Sequence, residues 1–202
     1  LLFRPMPSHI LMIGLGGGSL AKFVYHKMSQ TKTTAVEISQ QVISAAASYF
    51  ALPEEDGRFE IILADGAEYV ADHPLSTDIL MVDGFHDGCQ IAALCSQEFY
   101  NRAHQTLRED GILVVNLLSR DKNLNIYLQR IKDSFQGHVI AMMSEVRGNL
   151  IVFAFKQSPG KLTWKVLKTR AKKLEETYGL PFSDFVSKLR KYNAGHGSYL
   201  EI

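Results

Sequence analysis

Residues 9–20, HILMIGLGGGSL, restrict the fold more than any other part of the chain. Ile10 to Ile13 are four apolar residues in a row, the pattern of a short strand buried on both faces, as in a parallel sheet. Gly14, Gly16, Gly17 and Gly18 follow at once, and from Ser19 to Met28 the pattern is helical. Glycine at a strand-to-helix turn permits positive φ and, lacking a Cβ, lets a ligand lie against the backbone. The amide groups at the helix start then face whatever occupies the crevice. Gly16-x-Gly18-x-x-Ala21 also satisfies a loose dinucleotide pattern, which acquires meaning only from the surrounding strand, helix and downstream acid.

Those surroundings are present. Residues 33–37 read as a second strand ending in the acid Glu37, and Ser39 is placed to cap a helix reaching about Phe50. Residues 59–64 read as a third strand leading into Asp65-Gly66 and a short helix over 67–71. Residues 78–83 are a fourth strand, again ending in an acid, Asp83. Residues 84–96 are mixed and expected to be a loop; 97–107 are helical; Asp110-Gly111 should turn into a very apolar fifth strand over 112–117. A helix over 121–135 and a hairpin of 139–146 with 150–156, turning at Arg147-Gly148-Asn149, complete the core.

Strand–helix alternation of this kind predicts an α/β fold with a doubly wound, Rossmann-like parallel sheet and helices on both faces. A dehydrogenase-type nicotinamide sheet would add a sixth parallel strand. The closing hairpin points instead to the methyltransferase-type sheet, with five parallel strands and a final strand inserted antiparallel beside the fifth. Beyond Pro159 the pattern becomes a Lys-rich helix with Trp164, Leu167, Ala171 and Leu174 at helical spacing, and Pro181 separates it from a second amphipathic helix over 182–192. The expected division is an α/β ligand-binding domain over 1–157 and a helical extension over 158–202 packed on it. Leu1 is not an initiator Met, so a further N-terminal segment is expected upstream.

Composition narrows the partners. A formal net charge of +1 favours neither a polyanion nor a membrane surface. From Gly160 onward nine Lys/Arg face four Asp/Glu, leaving 13 against 17 in the body, but the aromatics there lie on the apolar face, which argues against nucleic acid. No apolar run approaches the ~20 residues of a membrane span. Two cysteines, Cys89 and Cys95, suit inert thiols in a reducing cytoplasm. The seven histidines form no ligand-spaced pair, so no metal is expected.

In open α/β sheets the ligand sits beyond the C-terminal ends of the strands, where strand order reverses. Four features should meet there: the glycine loop, Glu37, Asp65-Gly66 and Asp83. Glu37 can accept from both hydroxyls of a ribose, Ile38 can offer an apolar shelf to a purine, and Asp65 can accept from an exocyclic amine with Gly66 leaving room for the ring. Asp83 would lie beside the reacting carbon. A lone acid at a strand end is as readily a helix cap, a role open to Asp65; four such features in register favour an adenosine-type site.

The segments IGLGGGSL (13–20), AVEI (35–38), ADG (64–66), VDGFHDG (82–88), EFY (98–100) and EDGILV (109–114) resemble the spermidine synthase family, in the spermidine-synthase-like branch of the class I methyltransferase fold, over roughly residues 8–157. The resemblance implies binding of S-adenosylmethionine or its decarboxylated form, with Glu37 on the ribose, Asp65 on the adenine side and the glycine loop beneath. It implies transfer of an aminopropyl (or methyl) group to a small amine, with Asp83 deprotonating the attacker, and a homodimer. Phe85, His86 and Asp87 fall in the substrate loop. Phe85 can wall the pocket or anchor the loop, the latter preferred, and His86 is an alternative base or a gating residue. The chain departs from the family in having Gly17 where polyamine synthases carry an acid, Asp87 four rather than three residues after the base, no proline in that loop, and no small β-rich domain within 1–202. The rival readings are an ordinary S-adenosylmethionine-dependent methyltransferase and a non-catalytic nucleoside-binding module.

Overall fold

The apolar runs of the sequence enter a single sheet in a computed structural model, which describes residues 1–86, 89–144, 148–193 and 197–202, with His86 described for its backbone alone. Strands β1 (His9–Ile13), β2 (Lys32–Glu37), β3 (Phe59–Leu63) and β4 (Thr77–Val82) alternate with helices α1 (Ser19–Lys27), α2 (Gln40–Tyr49) and α3 (Gly66–Asp72). A two-residue ladder joins β5 (Phe85–His86) to β6 (Cys89–Gln90), and a 3₁₀ turn over Ala92–Cys95 follows. Next come α4 (Gln97–Thr106), β7 (Leu107–Leu118), α5 (Leu124–Ser134), β8 (Val139–Met143) and β9 (Asn149–Phe155). The tail is β10 (Lys161–Thr163), α6 (Trp164–Tyr178), α7 (Phe182–Tyr192) and β11 (Tyr199–Glu201).

The main sheet runs β3-β2-β1-β4-β7-β9-β8. The first five strands in that order are mutually parallel, and β9 inserts antiparallel between β7 and β8. This is the methyltransferase-type order, and it places the topological switch between β1 and β4, where a crevice opens at the C-terminal strand ends. Side chains alternate across the sheet, so residues two apart share a face. Leu11, Ile13, Val36, Leu80, Val82, Leu113 and Val115 face α3, α4 and α5. Met12, Ala35, Ile79 and Phe59 face α1 and α2, while Ile112, Ile140 and Phe155 pack against Trp164, Leu167 and Ala171 of α6 and Phe182, Val186 and Leu189 of α7.

Three departures from the sequence expectation have physical causes. Residues 84–96 are not an irregular loop: β5 and β6 pair, and Gln90 Oε1 accepts from the Leu118 amide at 3.0 Å, tying the hairpin to the end of β7. Two-residue strands are too short to carry a period. Asp110-Gly111 lies inside β7 rather than in a turn before it. The pairing with β4 jumps from Thr77↔Leu107 to Ile79↔Ile112, an irregularity in which a Cβ on Gly111 would lie 2.8 Å from the Arg108 carbonyl oxygen. Arg108 there reaches the Asp78 carboxylate at 3.3 Å. Finally, β10 pairs with β11 across the length of the two tail helices, a long-range ladder of three-residue segments with no local signature. Arg147 of the expected turn lies outside the described residues. No described helix is long and apolar enough to cross a membrane.

Candidate active site

The floor of the crevice is set by Gly14. Its φ of 97° lies in the left-handed region, and a Cβ there would sit 2.5 Å from the Asp83 carbonyl oxygen. Only glycine lets the end of β1 pass this close to the end of β4. The same crossing is tied by Asp83 N–H donating to the Ile13 carbonyl at 3.0 Å and Gly14 N–H to that of Val36 at 2.8 Å.

Glu37, at the end of β2, is nearly buried, with 9% of its surface exposed. Its Oε2 accepts from the Leu15 amide and its Oε1 from the Ser39 amide, each at 3.0 Å. Two backbone donors thus aim the carboxylate and bind the glycine loop to β2, while each oxygen keeps a second lone pair. Ser39 in turn caps α2, its hydroxyl accepting from Val42 N–H at 3.3 Å. Asp65 caps α3: Oδ1 accepts from the amides of Ala67 at 2.7 Å and Glu68 at 3.3 Å. The structural role left open by the sequence is therefore present, and it engages one carboxylate oxygen only.

Asp83, one residue past β4, is exposed, and its Oδ1 accepts from Asn116 Nδ2 at 3.0 Å. The contrast with Asp78 at the other end of β4 is instructive. Asp78 is 1% exposed and takes donors from Ser8 N and Oγ at 2.6 Å, His9 N at 3.0 Å, Arg4 at 3.0 Å and Arg108 at 3.3 Å. Burial works to raise its pKa, but the Ser8 and His9 hydrogen bonds, aided by Arg4, outweigh it and hold the group at about 2. Asp78 is saturated by its own protein; Asp83 has capacity to spare.

A hollow of about 750 Å³ is lined by Gly14, Glu37, Ile38, Asp65, Gly66, Asp83 and Phe85, among others. It joins a second of about 400 Å³ that carries Gly14, Gly16, Gly17, Glu37, Asp83 and Phe85. The acids of three successive strand ends thus face one cavity, and among the described residues neither lobe is lined by a Lys or Arg side chain, so the field of these residues favours cations. Ile38 is 65% exposed at the rim. Gly66 is pressed on Ile13, whose methyl would lie 2.3 Å from an added Cβ. Gly17 lies under Phe50, whose ring would be 3.0 Å from an added Cβ, so any acid there would have to displace that ring. Gly18 lines neither lobe; Leu52 fills the space beside it. Phe85 lines both lobes. Asp87 and the His86 side chain lie outside the described residues.

Sequence reading passed over Asn116, whose only signal is one polar residue in the apolar run of β7. Gln90, Ile91 and Leu94 of the segment between β5 and α4, which no sequence signal marks, wall the larger lobe. Cys89 lines that lobe as well; Cys95 is buried in the core, its thiol pushed up chiefly by burial and so kept protonated. Among the described residues no group of three or more His, Cys, Asp or Glu side chains is arranged to hold a metal.

Comparison with known proteins agrees with this layout. Residues 1–159 match the spermine/spermidine synthase domain. The chain is 43% identical over 200 residues to a polyamine aminopropyltransferase of Chromobacterium violaceum, covering 97% of this chain and 76% of that protein. Among solved structures it is similar to human methyltransferase-like protein 13 in complex with SAH, with a TM-score of 0.78, 29% identity and coverage of 89% and 86%. It is also similar to a spermidine synthase in complex with the transition-state analogue AdoDATO, with a TM-score of 0.65, 28% identity and coverage of 77% and 57%. The chain is a transferase on a methyltransferase-type sheet and belongs to the spermine/spermidine synthase family.

Proposed function

We propose that the chain transfers an aminopropyl group from decarboxylated S-adenosylmethionine to a small amine. The observation that carries this is the meeting of Glu37, Asp65 and Asp83 on one hollow of about 750 Å³ that no basic side chain lines among the described residues, in a member of this family. The donor and the protonated amine are both cations, and such a lobe favours them over an anionic or zwitterionic tail.

The parts divide the work. Glu37, held by two amides, offers its remaining lone pairs to the ribose hydroxyls. Asp65 offers the oxygen its cap leaves unused to the adenine side, with Gly66 making room and Ile38 at the rim. The bound donor supplies a sulfonium-activated carbon whose leaving group is a neutral thioether. Little remains for the protein beyond orientation and the proton: an ammonium has no lone pair, so Asp83 takes a proton from the amine before the new C–N bond forms and the C–S bond breaks. A division into a ligand-binding unit over 1–157 and a helical extension over 158–202, a homodimer and a cytoplasmic setting belong to the same proposal.

Methyl transfer from intact S-adenosylmethionine is the second reading. It is favoured by the higher structural similarity to a methyltransferase-like protein whose structure contains SAH, and by Gly17 lying beneath Phe50 where the family resemblance leads one to look for an acid. Incubating the enzyme with putrescine and either donor, and weighing the nucleoside product, separates the two. Aminopropyl transfer yields methylthioadenosine from the decarboxylated donor. Turnover confined to the intact donor, giving S-adenosylhomocysteine, would replace the first reading with the second.

A further inference from the structure

Residues 112–118 of β7 read Ile-Leu-Val-Val-Asn-Leu-Leu, and the one polar side chain of this apolar half, Asn116, stands at the level of the site. The parallel ladder pairs Met81 with Val114 and Val82 with Val115, so Asn116 occupies the rung beside Asp83. By alternation both project to the face shared with Met81 and Val114. The contact is made: Asn116 Nδ2 donates to Asp83 Oδ1 at 3.0 Å. The other end of the same amide is left unpaired. Asn116 Oδ1 is shut off from solvent and has no hydrogen-bond partner among the described residues. A buried acceptor without a donor destabilises a fold by about 1–3 kcal/mol, a cost that valine or leucine in this strand would avoid. The position is therefore poor for stability and apt for holding a carboxylate.

We infer that Asn116 is a positioning residue for the transfer: it fixes the Asp83 carboxylate by Oδ1, so that Oδ2 is the oxygen turned toward the attacking amine. This rests on Asp83 acting as the base. A carboxylate one residue past a strand end, exposed and hinged about two side-chain torsions, has several orientations available. One hydrogen bond from the neighbouring strand removes most of them before substrate arrives. Misplacement of a reacting group by about 1 Å can cost on the order of 100-fold in rate, and Asn116 acts on that quantity without needing to touch the donor.

The test is a set of variants assayed with putrescine and the donor that turns over, following kcat, both KM values and the thermal midpoint. Asn116→Asp keeps the shape but puts an acceptor where the donor was; Asn116→Val removes the amide in favour of a strand-forming side chain. Both should lower kcat by about 10- to 100-fold with KM for the donor within about threefold. Asn116→Val should melt at or above the wild-type temperature, since the unpaired acceptor is gone. Asn116→Gln, with its donor on a longer stem, should recover part of the rate. Because Asn116 acts through Asp83, Asp83→Asn combined with Asn116→Val should be no slower than Asp83→Asn alone. Near-wild-type kcat in Asn116→Val, or losses that multiply in the double variant, would overturn the inference while leaving Asp83 as base. A fall of melting temperature in step with the rate would assign Asn116 a structural role instead and overturn it too. Wild-type kcat in Asp83→Asn would remove the reading beneath it, and the inference with it.

Discussion

Two aspartates at opposite ends of β4 carry the same charge and do different things because of how many donors reach them. Asp78 meets five donor groups and Asp83 one among the described residues. That difference in spare acceptor capacity, more than burial, separates a structural acid from one able to serve a substrate. It also yields a prediction for Glu37, which stands between the two. Replacing Glu37 by Gln turns one of its oxygens into an N–H₂ group facing the Leu15 or Ser39 amide. We expect a loss of about 1–3 kcal/mol in thermal unfolding and a weakening of adenosyl ligand binding by about tenfold or more in calorimetry. Gly14→Ala is expected to be costlier for function than for folding. Its φ of 97° and the 2.5 Å approach to the Asp83 carbonyl force that backbone to move, at about 1–3 kcal/mol, and the carboxylate moves with it. The rate of transfer is the measurement. The strand-end acids were legible because each follows an apolar run by a fixed step. Asn116 was not, since its role depends on a neighbour 33 residues away.

Among the elements, those with a period and a cap could be read directly. Ser39 before α2 and the spacing of Trp164, Leu167, Ala171 and Leu174 on α6 appear in the structure as a hydroxyl cap and a buried stripe. What the sequence concealed was short or irregular: the β5–β6 ladder, the widened segment of β7 and the β10–β11 pair. Each is held by contacts across the fold, such as Gln90 on Leu118, that leave no local trace. The tail helices are part of the core rather than an ornament on it. Leu167 is fully buried against the sheet, so Leu167→Ala should lower stability by about 2–5 kcal/mol in denaturant unfolding, while the variant that remains folded keeps its donor affinity.

For the molecule as a whole, the sheet order followed from the alternation of strands and helices together with one closing hairpin. The helices on both faces then leave a crevice at a single sheet edge. The opposite edge, where the strands begin, is stapled by Asp78, and this predicts the acid limit of the fold. Its carboxyl is held below the unfolded value of about 3.9, so its contribution is complete above that pH and lost as pH falls towards the folded value of about 2. About 2 kcal/mol of unfolding free energy should disappear across that window, and Asp78→Asn should flatten the decline. The central claim concerns the other edge, and titrating methylthioadenosine into the protein by calorimetry tests it most directly. One equivalent should bind, with affinity about tenfold or more weaker in Glu37→Gln. Absence of binding, or equal affinity in the two proteins, would contradict an adenosyl site built on these acids.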